Sequence, residues 1–183
     1  GFPASLEIIG QSAFANCYQI AMNINKEIVI PDNTILGTMA FQNISNITKI
    51  TFGVASNIAP AGINTANGLT SIIIPPSNPY LEIYNNIAIY ATLNGEKRFV
   101  RYMNSGTTPL DASGVKTYNI LPGTHNIDAY SFWYSDVKQI IVPDSVLRIG
   151  SDEINSSGSF YGTVAQEILF QHDSDAAIDV VGS

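Results

Sequence analysis

Residues 8–14 read IIGQSAF and residues 35–41 read ILGTMAF, nearly the same seven letters 27 positions apart. A chain that writes a short segment again at a near-fixed interval is repeating a structural unit, and that unit limits the fold more than any single residue can. In each copy an aliphatic residue precedes an aromatic by five positions: Ile9 before Phe14 and Leu36 before Phe41. The same step recurs at Ile127 and Phe132, and at Ile149 and Ile154, where isoleucine stands in the aromatic slot. After Phe41, apolar residues follow at Ile47, Ile50 and Phe52. Moved forward by 22 residues, that ruler lands on Ile58, Ile63, Leu69, Ile72 and Ile74. The stretch GVASNIAPAGINTANG is therefore a degenerate repeat in register, although it looks like a linker.

The strand-like runs EIVIPD, TSIIIPP and KQIIVPD are β-branched and end at proline. Proline cannot donate to a ladder and starts a turn, so each run reads as a short strand closed by a bend. Alternation in LTSIIIP places Leu69, Ile72 and Ile74 on one side and Thr70, Ser71 and Ile73 on the other. A unit of about 22 residues cannot close a core alone, so neighbouring units must stack and bury a continuous apolar ribbon. Extra residues in AMNINK and SSGSFYG read as loops bulging from the coils. Between them, NNIAIYATLNGEKRFVRYMN holds two alternating runs separated by Asn94-Gly95, a strong hairpin signal. A two-residue turn there pairs Ile89 with Val100, Ile87 with Tyr102 and Tyr90 with Phe99.

The expected fold is a mainly β repeat protein, a short solenoid of about five coils of ~22 residues with an inserted β-hairpin. It is expected as one domain over 1–183. Repeats occupy about 5–75 and 115–171, the hairpin and a loop occupy 76–114, and an acidic tail follows at 172–183.

Composition narrows the partners. Charged residues make up 13 % of the chain and the formal net charge is −7. Nucleic acid and anionic membranes call for clustered Lys and Arg, and the one basic cluster is Lys97, Arg98 and Arg101. No apolar run approaches the ~20 residues of a membrane span, so no transmembrane segment is expected. The single cysteine, Cys17, has no partner for an internal disulfide and reads as a small buried hydrophobe. No signal peptide is visible, and the start at Gly1 reads as a trimmed mature form.

With these residues in hand, the chain resembles the BspA-type leucine-rich repeats of bacterial surface proteins. That unit runs approximately I-P-x-x-V-x-x-I-G-x-x-A-F-x-x-C-x-x-L-x-x-I. VPDSVLRIGSDEI at 142–154 and LEIIGQSAFANCYQI at 6–20 match it, with Cys17 in the cysteine slot. The hairpin stretch NPYLEIYNNIAIYATLNGEKRFVRYM resembles a segment with which family members interrupt their arrays. The chain departs from the pattern at Ile63 and Ile154, where the aromatic is lost, and at Gly53, where proline is lost. The resemblance implies a leucine-rich-repeat-like solenoid, extracellular or on the cell surface, acting in adhesion or host-protein binding. It brings no shared catalytic residues and no cofactor.

Stacked strands line up their outward residues in columns. The expected column is Val29, Thr51, Ile73, Ile141 and Leu169, with the member from KTYNILP ambiguous by one residue. Polar pairs accompany it, among them Lys26-Glu27, Thr48-Lys49, Thr70-Ser71, Lys138-Gln139 and Gln166-Glu167. An exposed aliphatic column flanked by Lys49 and Lys138 suits a protein-binding strip. The alternative is that β-branched residues simply favour a pleated strand, or that another segment covers them. Trp133 and Tyr134, beside the Phe132 slot, are interface anchors or packing residues on the same argument.

QHDSDAAID offers His172, Asp173, Asp175 and Asp179, but lacks the ligand series and bend glycine of a calcium loop and reads as a solvated tail. His125 and His172 sit in no nucleophile, zinc or phosphate-loop motif, so no enzyme is expected. Sequons begin at Asn43, Asn46 and Asn155, relevant only to a eukaryotic source. Two functions fit: a non-catalytic adhesion module for a host or matrix protein or glycan, or a structural spacer or self-assembling array segment without a heterologous ligand.

Overall fold

The structure, a computed structural model, describes residues 1–18, 26–63, 68–103, 110, 112–150, 158–171 and, for the backbone alone, 179–180. It divides into two compact units, Gly1–Ile83 and Tyr84–Ser183. Every element among the described residues is a β-strand, and none of them forms a helix long and apolar enough to cross a membrane.

The first unit holds β1 (Ile8–Ile9), β2 (Glu27–Ile30), β3 (Ile35–Leu36), β4 (Lys49–Phe52), β5 (Asn57–Ile58) and β6 (Ser71–Ile73). They form two parallel ladders, β1-β3-β5 and β2-β4-β6. Each coil thus contributes one strand to each ladder, as stacking of a small repeated unit requires. Register follows the 22-residue ruler: Ile28 lies beside Ile50 and Ile50 beside Ile72, while Ile9, Leu36 and Ile58 line up in the other ladder. All six of these side chains are buried.

The recurring seven letters form the corner that joins the ladders. Two residues before each aromatic slot the backbone is left-handed, at Ser12, Met39 and Ala61. It is left-handed again two residues after the slot, at Asn16 and Asn43. Alternate amides of the corner donate to the next coil, Ser12 to Thr38, Phe14 to Ala40 and Asn16 to Gln42, each at 2.9 Å. The residue before the slot is small because the corner is tight: a Cβ on Gly62 would meet Ile58 Cγ2 of its own coil at 2.7 Å and the Gly37 carbonyl of the preceding one at 3.2 Å. The Phe14 and Phe41 rings stack at 5.6 Å, and Ile63 occupies the next place fully buried.

Gly53 has a steric reason. A Cβ there would lie 2.5 Å from Asp32 N and Oδ1, and Asp32 Oδ1 accepts a hydrogen bond from Val54 N at 2.7 Å. Asn78 closes the last turn of the unit. Its amide donates to the Gly53 and Ser56 carbonyls, and its Oδ1 accepts from Tyr80 and Leu81. Cys17 departs from expectation and is exposed. Ile44, at the same step after Phe41, is fully buried.

β7 (Leu81–Tyr84) runs across the division. The second unit continues with β8 (Ala88–Leu93), β9 (Glu96–Tyr102), β10 (Thr117–Asn119), β11 (Thr124–Ile127), β12 (Gln139–Val142), β13 (Arg148–Ile149), β14 (Glu167–Phe170) and β15 (Asp179–Val180). Strands β8 and β9 are the expected hairpin. Asn94 and Gly95 both have positive φ, at 53° and 82°, as a type I′ turn demands. Tyr90 pairs with Phe99 as expected. Beyond that pair a register shift sets Ile89 opposite Arg101 and Ala88 opposite Tyr102, correcting the Ile89–Val100 and Ile87–Tyr102 pairings. Val100 is the extra residue of the bulge.

That neighbour is β11, which pairs with β9 in parallel and continues to β13 and β15. The hairpin therefore supplies a coil strand rather than projecting from the array. Phe99, Tyr102, Tyr118 and Phe132 pack in one buried cluster. Within it the Tyr90 and Tyr118 hydroxyls are 2.9 Å apart, and burial beside Tyr90 pushes the Tyr118 phenol far above its ordinary value. The Arg101 guanidinium on β9 is pulled down to about 10 by desolvation, so it remains protonated at neutral pH.

In the last coil, Phe160 stacks on Phe132 at 5.5 Å and 24°, and Phe132 N donates to Ser159. Phe160 thus fills the aromatic slot expected at Ile154, which lies outside the described residues. The extension comes before that slot, because SFWYSDVKQIIV and SFYGTVAQEILF then run in step, position for position.

Candidate functional site

The β2-β4-β6 ladder turns one face outward. Its short β-branched strands pair without offset, so Val29 stands beside Thr51 and Thr51 beside Ile73. Val29 is 54 % and Ile73 44 % exposed, and Thr51 is half-buried between them. Glu27, Lys49 and Ser71 form the adjacent outward row. Glu27 carboxylate accepts the Thr51 hydroxyl at 2.5 Å and meets Lys49 Nζ at 3.1 Å. The Thr51 hydrogen bond first, and Lys49 second, hold the Glu27 carboxyl below its ordinary value. The row is thus internally neutralised, and the strip beside it is left apolar with a central hydroxyl. Such a surface offers burial and one hydrogen bond to a partner, without a net charge to desolvate.

The β10-β12-β14 ladder of the second unit repeats the arrangement. Asn119, Ile141 and Leu169 line up, which resolves the ambiguous column member as Asn119. Leu169 is exposed and Ile141 half-buried. The adjacent row is a relay of side chains: Thr117 hydroxyl donates to Gln139, and Gln139 amide donates to Glu167 at 2.7 Å.

Of the remaining expected residues, Lys49 lies in the outward row, but Lys138 precedes β12 by one residue and is off the column. It corresponds to Thr48, since both amides donate back to the preceding coil, Thr48 to Lys26 and Lys138 to Lys116. Trp133 and Tyr134 lie on the corner after β11, not on the sheet face. Their rings stack at 5.4 Å, with Trp133 half-buried and Tyr134 65 % exposed. Tyr161 from the last coil completes an edge contact with Trp133.

A second outward pair escaped the sequence reasoning. Ile8 and Ile35 are neighbours on β1 and β3, 59 % and 47 % exposed. The signal was the doubled aliphatic in IIG and ILG, where one residue must point away from the core whenever its neighbour points in. His172, Asp173 and Asp175 lie outside the described residues, as do the side chain of Asp179 and the sequon at Asn155. Asn43 lies in the corner, where its amide donates to Asn16 at 3.0 Å.

Parallel ladders, one strand per coil in each, stacked aromatic corners and bare outward columns define a β-solenoid of leucine-rich-repeat type. A family model for the BspA type leucine rich repeat region matches residues 1–94 and 110–172 in six copies, and the chain belongs to that family. Among solved structures, it is similar to a leucine rich cell surface protein from Faecalibacterium prausnitzii A2-165. The two share 17 % identity at a TM-score of 0.59, over 88 % of this chain and 44 % of that one. It is also similar to a leucine-rich repeat protein from Eubacterium ventriosum ATCC 27560, with 19 % identity and a TM-score of 0.54 over 80 % and 42 % of the two chains. The chain spans less than half the length of each. No curated protein matches it.

Proposed function

We propose that this chain is a non-catalytic binding module of a cell-surface or extracellular protein, contacting a protein or glycan through its outward strand columns. The observation that supports this reading most is the Val29–Thr51–Ile73 column, aliphatic and exposed on a backbone held by ladder bonds on both sides of β4. A preordered apolar strip loses little conformational entropy on binding, which leaves more of its burial energy as affinity. Tyr134, exposed on its corner, is a separate anchor.

The test is a binding screen of the purified chain on immobilised matrix proteins and neutral oligosaccharides. Val29→Asp/Ile73→Asp and Tyr134→Ala are run beside the parent chain. The expected result is saturable binding that weakens at least ~10-fold, about 1.4 kcal/mol, in one of these variants, with the melting temperature nearly unchanged. Binding unaffected by both variants would remove the columns from the account. A folded chain that binds nothing would favour a structural spacer.

A further inference from the structure

Two residues after the aromatic slot the corner turns left-handed, and in three of the described coils the residue there suits that turn. Asn16, Asn43 and Gly162 hold the place, and asparagine and glycine tolerate positive φ. In the coil of Phe132 the place belongs to Tyr134, at φ 52°. A bulky residue is strained in that region. Burial does not offset the strain, because Tyr134 is 65 % exposed. The following coil is already in place beside it: a Cβ on Gly162 would lie 3.3 Å from the Tyr134 ring and from Trp133 Cδ1. The exposure therefore belongs to the corner itself and not to an end of the array. Strain kept where it adds no burial is characteristic of sites shaped for a ligand.

The chemistry of the corner selects that ligand. Tyr134 stacks on Trp133 at 5.4 Å and 25°, and the buried Tyr130 packs against Trp133 at 5.3 Å. The exposed ring is thus a supported, flat platform. Residues 129–135 and 158–166 include no charged side chain, so an ionic ligand finds no counter-charge in either segment. A tyrosine buries ~150–250 Å², well below the ~800 Å² a side of a standard protein interface. A single sugar ring fits that smaller area. We infer that the Trp133–Tyr134 corner is a carbohydrate platform, on which one ring of a neutral oligosaccharide stacks against Tyr134. A pyranose presents a flat face of C–H bonds with partial positive charge, which suits the negative face of an aromatic ring. Its hydroxyls stay in water at the rim. This inference rests on the binding-module reading and deepens it, by naming the ligand class at the Tyr134 anchor.

Trp133 is the single tryptophan of the chain, so its fluorescence reports on the platform directly. Titration with neutral gluco-, xylo-, manno-, galacto- and chito-oligosaccharides should change the emission saturably with at least one of them. Tyr134→Phe keeps the ring and should bind as the parent does. Tyr134→Asn installs the residue found at Asn16 and Asn43. It should melt no lower than the parent and bind at least ~10-fold more weakly. Choline chloride, in a separate arm, distinguishes a cation site from a sugar site. Emission unmoved by every sugar up to millimolar concentrations, or a response to choline alone, would overturn the inference. So would a Tyr134→Asn variant that binds as well as the parent or melts well below it. A ligand lost by Val29→Asp/Ile73→Asp while the corner answers to no sugar would leave the column reading standing and this inference refuted.

Discussion

Phe132→Ala is expected to destabilise the second unit by about 3–5 kcal/mol, the range for removing a buried phenylalanine from a core that cannot collapse. Phe132 is fully buried. Its ring stacks on Phe99 at 4.8 Å, Tyr102 at 5.8 Å and Phe160 at 5.5 Å, and meets Tyr118 edge-on. These four neighbours come from the hairpin, β10 and the last coil, and Tyr102 N donates to the backbone of the same corner, at Ser131. Relaxation into the cavity would have to break inter-coil hydrogen bonds, so the void should persist. Chemical denaturation read by tyrosine or tryptophan fluorescence checks this. A loss below about 1 kcal/mol would mean that the aromatic slot is not a shared core position.

The second large effect concerns the ion pair beneath the hairpin. Arg98 on β9 and Asp128, just after β11, approach to 3.5 Å with side chains 6 % and 3 % exposed. Removing one member of a buried pair strands the other charge in a poor solvent, whereas removing both for apolar residues does not. Asp128→Ala should therefore cost about 3–5 kcal/mol, and Arg98→Met/Asp128→Leu should recover most of it. Equal losses in the single and double variants would show that the charges are not the source of the cost. Asp128 stands where the first unit has Gly10 and Gly37, in the position after the aliphatic of the corner. A Cβ on Gly37 would come within 2.7 Å of the Gly10 backbone, whereas Ala59 holds the same step against the Leu36 carbonyl.

Much of this was legible because the inward pattern is redundant. Ile9, Leu36 and Ile58 mark the same step three times, and the ruler carried from Phe41 found Ile63 inside a stretch with no visible motif. Parallel in-register stacking then follows, and with it the outward column. Legibility failed where a single copy had to be judged without its neighbours. Ile154 stands at the expected step of five from Ile149, and the stacking of Phe160 on Phe132 with the hydrogen bond from Phe132 to Ser159 selects Phe160 instead. The Val100 bulge carries no turn residue to announce it, because it lies several residues beyond the Asn94-Gly95 turn that sets the hairpin. Lys138 shares the place of Thr48, as the parallel pairs Thr48-Lys49 and Lys138-Gln139 imply. Exposure of Cys17 is a tertiary property invisible in its local pattern.

The outward column depends on one alternation, and adjacent isoleucines of β6 test it directly. Ile72 is 7 % exposed and Ile73 44 %. Thermal and urea unfolding of Ile72→Ala and Ile73→Ala compare the same deletion on opposite faces of one strand. Ile72→Ala should cost about 2–4 kcal/mol through a core cavity, and Ile73→Ala less than about 1 kcal/mol. Equal losses, or a larger loss at Ile73, would mean that the strand faces the other way and that the outward column does not exist.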